Sequence, residues 1–309
     1  RLGHHEGRSA VPAPRGRRVT QPPRSKSAAK GDRPPAPEPL PVPVADAHCH
    51  LDIGYNDHWL DVEEAQVLAT AAGIDRIVQV GVDVESSRWS VVAANTHRNV
   101  LAAVALHPNE APRIEAELGR AGLDAAIAEI EDMAADGRVR AVGETGLDFF
   151  RTEGETALAA QEYAFRQHIR IAQKFGLPVM VHDRDAHDDV VRVLLDERIE
   201  TDVIFHCFSG DEALARTAAE HGWFCSFAGT VTFKNAQNLR AALALLPQEL
   251  ILVETDAPFL TPMPYRGQPN ASYLIPHTMR HMAEVRGAPL DRLCAAVSDN
   301  ANRVFGSFA

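Results

Sequence analysis

The chain has 309 residues, a mass of 33.7 kDa and a hydrophobic share of 45%. This length accommodates one large α/β domain or two small ones. No apolar run approaches a membrane span, and no apolar stretch near the first residues resembles a signal peptide. Four scattered cysteines exclude a disulfide scaffold. We therefore expect a cytoplasmic protein with no membrane partner.

Charge is distributed unevenly along the chain. The net charge is −11, but residues 1–44 hold nine Lys or Arg against three acidic residues, which leaves the remainder at −17. The same segment contains ten of the 20 prolines. We predict that residues 1–43 form a disordered basic tail, either simply solubilising or in weak contact with nucleic acid, and that residues 44–309 form the folded body. The acidic body disfavours a broad electrostatic grip on duplex DNA.

The folded body alternates short apolar runs with longer helical patterns. One such helix is predicted over 156–175, ended by Gly176 and Pro178. The runs are mostly continuous and β-branched, which is typical of parallel strands buried on both faces. Eight strands are predicted, at 44–50, 76–82, 100–107, 139–144, 177–182, 202–208, 223–229 and 250–256. This rhythm favours an α/β fold of the (β/α)8 TIM-like barrel type over a doubly wound sheet, because no glycine-rich phosphate-binding turn follows the first strand.

Possible metal ligands lie at the carboxyl ends of six of the eight predicted strands. They are His48, His50, His107, Glu144, His182, His206 and Asp256. The first two belong to the stretch VADAHCHLD at 44–52, which by itself is equally compatible with a solvated or core pair of histidines. In a regular strand Asp46, His48 and His50 share one face, and Ala47 and Cys49 the other. Because a barrel gathers its strand ends at one mouth, we predict a metal centre there.

The number of these donors exceeds what one tetrahedral zinc ion needs. We therefore predict two divalent metal ions, a few ångströms apart and bridged by a carboxylate. Some barrels of this architecture bridge their two metal ions with a carbamylated lysine. None of the four lysines here ends a predicted inner strand, so Glu144 is the expected bridging carboxylate. Mixed imidazole and carboxylate ligands suit zinc, manganese, iron or cobalt better than magnesium.

Six sequence blocks resemble the signatures of the TatD family of metal-dependent deoxyribonucleases. They are DAHCHLD, VGETGLDFF, PVMVHDRDA, FHCFSG, GTVTFKNA and ILVETDAPFL, in this order between Val44 and about Phe305. The resemblance implies an amidohydrolase-type barrel, two divalent cations and exonucleolytic cleavage of DNA phosphodiesters from a 3′ end. One departure is Leu106, where the family more often has glycine, and which we expect to narrow the pocket floor. The basic tail lies outside the resemblance.

The resemblance also implies a division of the ligands. His48, His50, Glu144 and Asp256 would hold one metal ion, and Glu144, His182 and His206 the other. We expect Asp256 to orient the attacking water and accept its proton while also binding metal, so that Asp256 and Glu144 are the catalytic carboxylates.

Other polar residues near the strand ends have two interpretations each. Asp46 and Glu254 lie one layer deeper and either accept hydrogen bonds from imidazoles or form a polar pair of the barrel core. His107 either binds a substrate phosphate or is a packed histidine. Further candidates for phosphate binding, each equally plausible as a surface cation, are Arg184, Lys234 and Arg266. Cys49 and Cys207 are expected to face outwards.

Three functions are compatible with the predicted barrel and its metal centre. The first is a two-metal hydrolase of DNA phosphodiesters, a 3′–5′ exodeoxyribonuclease that prefers single-stranded or frayed ends. The second keeps the metals but hydrolyses esters, as a D-aminoacyl-tRNA deacylase does, because a fold does not determine its substrate. The third is a non-catalytic interaction scaffold, which an intact set of ligands disfavours.

Overall fold

The predicted barrel is confirmed by a computed structural model that describes residues 24–25, 31–54 and 59–306. Eight parallel strands follow one another around the sheet in chain order. They are β1 (Val44–Cys49), β2 (Ile74–Val80), β3 (Val100–Val104), β4 (Val139–Asp148), β5 (Val179–Arg184), β6 (Val203–Phe205), β7 (Phe224–Phe227) and β8 (Ile251–Val253).

Helices connect the strands and cover the outside of the barrel. They are α1 (Val62–Ala71), α2 (Val84–Thr96), α3 (Glu110–Ala134, kinked at Gly119), α4 (Glu155–Phe175), α5 (His187–Asp196), α6 (Glu212–His221), α7 (Gln237–Leu245), α8 (Ile275–Arg286) and α9 (Leu290–Phe305). The helix predicted over 156–175 ends as expected, because Gly176 adopts the left-handed conformation with φ 64°. Within the described residues, no helix is both long and apolar enough to cross a membrane.

Alternate strand residues pack into two separate apolar layers. The inner layer takes residues from all eight strands, such as Val78, Leu101 and Ile204, and its lower end is closed by Val304 and Phe305 of α9. The outer layer takes the intervening strand residues and packs them against the helices. Apolar side chains fill the barrel interior, and the candidate ligands lie towards the carboxyl ends of the strands.

The barrel closes between β1 and the segment that follows β8. Cys49 and Ala257 form an isolated parallel bridge. The amide of Asp256 donates to the carbonyl of His48 at 2.9 Å, and the amide of His50 donates to the carbonyl of Ala257 at 2.8 Å. These backbone hydrogen bonds hold the last predicted ligand, Asp256, directly beside the first two.

The predicted disordered tail falls in part outside the described residues, and there it stays a prediction. Its final stretch, 31–43, is described and lies against the barrel. Leu40 is buried, and its amide donates to the carbonyl of Ala72. The Tyr273 hydroxyl donates to the carbonyl of Pro34. Arg24–Ser25 pairs in parallel with Ile53–Gly54. These contacts extend the packed unit before the first strand of the barrel.

Candidate metal centre

Glu144 lies at the centre of the barrel mouth, on β4. Its carboxylate is buried, with 6% of the side chain exposed. Gly143 and Gly146 flank it, and a Cβ atom on either glycine would overlap β5, at Met180 or at the carbonyl oxygen of His182. The VGETG block therefore allows β4 and β5 to approach closely. This close approach sets the Glu144 carboxylate against the imidazole of His182.

The first oxygen of this carboxylate faces residues at the end of β1 and in the segment that follows β8. Glu144 Oε1 lies 3.7 Å from His48 Nε2 and 3.5 Å from His50 Nε2. The two Nε2 atoms are 3.2 Å apart. Asp256 Oδ1 lies 3.7 Å from His48 Nε2 and 3.4 Å from His50 Nε2. Four donor atoms thus converge, at the separations that ligands of one ion adopt when each is about 2.1 Å from it.

The second oxygen of the carboxylate faces three other imidazoles. Glu144 Oε2 lies 2.9 Å from His206 Nε2 and 3.0 Å from His182 Nδ1. It is 3.7 Å from His107 Nε2. The two oxygens of Glu144 therefore point at two different groups of histidines, as a bridging carboxylate does.

Hydrogen bonds fix the orientation of several of these rings. His50 Nδ1 donates to the carbonyl of Val80 at 2.9 Å, which directs its Nε2 inwards. His206 Nδ1 donates to Glu254 Oε1 at 3.1 Å, and the same oxygen accepts from the amide of Cys207. Glu254 therefore accepts hydrogen bonds from an imidazole and from a backbone amide and holds the ring of His206 in place.

Asp148 is a residue of the site that the sequence analysis missed. Its Oδ2 accepts from His182 Nε2 at 3.3 Å and from the side-chain amide of Asn109 at 3.1 Å. The amide of Arg151 donates to its Oδ1 at 2.8 Å. Asp148 holds the ring of His182 with Nδ1 towards Glu144. The sequence could have indicated this residue, because Asp148 lies in the VGETGLDFF block, four residues beyond Glu144 and at the same end of β4.

Asp46 makes its contacts with hydroxyl groups and backbone amides. A regular strand would place Ala47 and His48 on opposite faces. A register shift between Asp46 and Cys49 interrupts this alternation, and Ala47 packs in the inner layer. Among the described residues, the Asp46 carboxylate accepts from Thr255, from Ser272 and from the backbone amide of His48, but not from an imidazole. Burial raises the pKa of Asp46 to about 7, although these hydrogen bonds act to lower it. Through these hydrogen bonds the Asp46 carboxylate connects β1 to the segment after β8.

The electrostatics of the centre favour bound cations. Burial opposes ionisation of Glu144, yet the imidazoles of His206, His107 and His182 hold its pKa well below the usual range. Burial would lower the pKa of His50, but the Asp256 hydrogen bond and the charges of Glu144 and Asp256 raise it to about 9. The carboxylates of the centre therefore stay charged and attract positive charge, which protons or metal ions can provide.

A cavity of about 770 Å³ opens above Glu144 and Asp256. Of the four predicted phosphate-binding residues, His107 and Arg184 line it, whereas Lys234 and Arg266 are exposed and do not. The guanidinium of Arg266 instead stacks 4.2 Å from the ring centroid of Phe233.

Two further expectations differ from the structure. Cys207 lines the cavity instead of facing outwards, because its φ of 42° breaks the strand alternation. Leu106 is fully buried in the outer apolar layer and is not part of the cavity wall. Cys49 packs in the outer layer as predicted.

Comparison with known proteins decides the family. The family described as TatD related DNase matches residues 45–306. The chain belongs to this family. It is 43% identical over 262 residues to the uncharacterised metal-dependent hydrolase TatD of Mycobacterium tuberculosis, covering 84% of this chain and 96% of the relative. The predicted family is thereby confirmed.

Two other TatD proteins extend the comparison. A protein of Cronobacter sakazakii named 3′-5′ ssDNA/RNA exonuclease TatD is 32% identical over 268 residues, covering 82% of this chain and 97% of that protein. The crystal structure of YJJV, a TatD homologue from Escherichia coli K12, superposes with a TM-score of 0.75 and 26% identity, covering 85% of this chain and 98% of that structure. This TatD-family chain is accordingly a metal-dependent hydrolase.

The donor set fits the metal dependence of the TatD family. Two groups of three donors have all their ligand atoms within 4.8 Å of one another: His48, His50 and Glu144, and His107, Glu144 and His182. A deeper group of His48, His206 and Glu254 meets the same limit. Imidazole nitrogens and carboxylate oxygens are common donors to zinc, manganese and iron. The chemistry of these residues therefore matches the dependence that the relatives' names state.

Proposed function

We propose that this TatD-family hydrolase uses two divalent cations to cleave phosphodiester bonds at the 3′ ends of single-stranded or frayed DNA. The observation that carries the proposal is the orientation of Glu144, whose two oxygens lie against two separate groups of imidazoles. The family description and the name of the Cronobacter sakazakii relative support a nucleic-acid substrate and the 3′ polarity.

The distances support a division of the ligands into two sets that share Glu144. His48, His50, Glu144 and Asp256 would hold one ion, since each carboxylate oxygen lies 3.4–3.7 Å from the two imidazole nitrogens, which are 3.2 Å apart. Glu144, His182 and His206 would hold the other. His107 lies 3.7 Å from the same Glu144 oxygen, which places it beside the second set. Zinc, manganese, iron and cobalt suit these donors better than magnesium.

Each polar residue of the cavity has a role that follows from its position. Bound divalent ions polarise a phosphoryl oxygen and lower the pKa of water. Asp256 lines the cavity with 15% of its side chain exposed, so its carboxylate can orient a water molecule and accept a proton at Oδ. Arg184 and His107 line the same cavity and can donate hydrogen bonds to phosphate oxygens.

The charge of the body supports the preference for single strands. Residues 45–309 carry a net charge of −17, which repels the closely spaced phosphates of a duplex. A substrate held mainly at one phosphate avoids most of this repulsion. An unpaired or frayed end can enter the cavity with that single phosphate.

Labelled oligonucleotides test the substrate and the polarity. Purified protein with Mn²⁺ or Mg²⁺ is incubated with 3′-labelled and 5′-labelled single strands, and in parallel with D-aminoacyl-tRNA. We expect immediate release of labelled mononucleotide from the 3′-labelled strand, and progressive shortening of the 5′-labelled one. Release of amino acid without loss of nucleotides would instead identify the ester hydrolase, and no turnover of either substrate would favour a scaffold.

Elemental analysis tests the number of metal ions. We expect two per chain when the sites are full. His182→Ala and His206→Ala should each weaken the second ion while leaving the first, and Glu144→Gln should weaken both. A stoichiometry of one in the saturated wild-type protein would contradict the proposed bridge.

A further inference from the structure

Phe150 is an exposed aromatic residue at the rim of the cavity. It follows β4, and 59% of its surface is exposed, which makes it the one aromatic among the strongly exposed large apolar residues that the structure describes. The guanidinium of Arg184 lies 4.0 Å from its ring centroid. The backbone holds this pair together, because Asp148 pairs with Arg184 in the ladder and the amide of Phe149 donates to the Arg184 carbonyl.

This pair lies close to the metal centre. Arg184 is two residues beyond His182 on β5, so both side chains are on the same face of the strand, roughly 6–7 Å apart along it. Arg184 and its neighbour on the rim, Arg151, both line the cavity that contains Glu144. A nucleotide with its phosphate at the centre would therefore extend past this rim.

Two arginines line the rim without an acidic partner among the described residues, whereas several arginines of the outer helices are neutralised by carboxylates. On the outer helices Arg113, Arg166 and Arg192 each pair with at least two carboxylates. Within the described part of the chain, the guanidinium groups of Arg151 and Arg184 make no ion pair and no hydrogen bond. In an acidic body, unpaired cations beside an exposed ring indicate a surface for an anionic ligand that also has flat apolar parts.

We propose that the ring of Phe150, with Arg184 on one of its faces, is a stacking platform for a base of single-stranded nucleic acid next to the cleaved phosphate. Aromatic and guanidinium groups stack on bases irrespective of sequence, since every base has a π face. A base paired within a duplex has both faces covered by its neighbours. The platform therefore selects unpaired ends. This inference rests on the proposed function for the position of the phosphate.

Fluorescence of 2-aminopurine at the 3′ end of an oligonucleotide tests the platform, because stacking on another ring quenches it. The oligonucleotide carries slowly hydrolysed phosphorothioate linkages, so binding is read without cleavage. The wild-type holoenzyme should quench the base. Phe150→Leu, which keeps apolar bulk but removes the ring, should abolish the quenching and weaken binding about 10-fold. Phe150→Tyr, which keeps an aromatic ring, should retain both the quenching and the affinity of the wild type.

Matched controls separate stacking from general damage. Leu118→Ala removes a 68% exposed apolar side chain from α3 and should change neither quenching nor binding. An oligonucleotide with abasic sites at its 3′ end should bind wild type and Phe150→Leu equally. Unchanged quenching in Phe150→Leu, an absence of quenching by the wild type, or an equal loss for the abasic oligonucleotide would overturn the platform. A wild-type protein that quenches the base but never cleaves DNA would overturn the proposed function alone.

Discussion

Asp148 shows how one carboxylate outside the expected ligand set can control the site. It accepts from His182 Nε2, which leaves Nδ1 facing Glu144. Asp148→Asn keeps the size of the side chain but replaces an acceptor with an amide that can present a donor to the ring. We expect metal affinity at the second set to fall about 10- to 100-fold. Titration of metal into stripped protein measures this affinity.

Asp299→Asn is the matched control for that substitution. Asp299 is exposed on α9, far from the barrel mouth, and the same loss of charge there should leave metal affinity unchanged. Equal affinities in Asp148→Asn and wild type would show that His182 does not need this acceptor.

His168 predicts a pH dependence of stability that is independent of the metal centre. It is buried on α4, its Nδ1 donates to the carbonyl of Ala164, and its Nε2 accepts from the amide of Leu106. Burial lowers its pKa to about 4. An unfolded histidine titrates near pH 6.5, so between pH 6.5 and about 4 the unfolded state binds more protons. The contribution of His168 to stability is therefore present above pH 6.5 and is lost as the pH falls towards 4.

His168→Gln removes this titration. The free energy of unfolding of the wild type, relative to the variant, should fall by up to about 3 kcal/mol from pH 6.5 to pH 4. Urea denaturation at several pH values measures both proteins, and effects of the other histidines cancel in the difference. Two parallel curves would show that His168 titrates alike in the folded and unfolded states.

At the scale of elements, the close contact of β4 with β5 holds the centre together. Gly146 has φ 143°, and a Cβ atom there would overlap the carbonyl oxygen of His182. Gly146→Ala should therefore cost about 2 kcal/mol or more of stability and also reduce bound metal, because His182 moves away from Glu144. Urea denaturation and elemental analysis measure the two effects.

Gly176→Ala separates backbone strain from this overlap. Gly176 ends α4 with φ 64°, and no atom lies within 4 Å of the position that a Cβ would occupy. The Gly176→Ala variant should therefore lose about 1 kcal/mol of stability, from backbone strain alone, and keep its bound metal. If Gly146→Ala keeps a full complement of metal as well, the contact between the two strands does not position His182.

The elements also show where strand periodicity misleads. Alternation predicted that Asp46 and His48 share a face and that Cys207 faces outwards. Both expectations assume a regular strand, but β1 has a register shift after Asp46 and Cys207 has φ 42°. Such irregularities depend on the closure of the barrel at its mouth, which involves residues more than 200 positions apart. No local pattern contains that information.

At the scale of the whole molecule, the folded unit begins before the first barrel strand. Leu40 is 6% exposed and packs in the outer apolar layer. Leu40→Ala should therefore lower the free energy of unfolding by about 2 kcal/mol. Val67→Ala, at a residue that is 65% exposed on α1, should change it by less than about 0.5 kcal/mol. Equal stability of both variants would show that residues 31–43 contribute nothing to the fold.

The sequence alone determined the barrel, the family and the set of strand ends from which the candidate ligands come. These features follow from local patterns, since buried parallel strands need continuous apolar runs and a barrel gathers their carboxyl ends. The order of the six blocks then indicated the family.

Only the tertiary structure decided how the side chains at the mouth are arranged. It turned the two oxygens of Glu144 towards different groups of imidazoles, set Asp148 against His182, and stacked Arg184 on Phe150. Each of these contacts joins neighbouring or opposite strands at distances of a few ångströms. They depend on register and closure, which are global properties of the barrel that no single segment of the chain encodes.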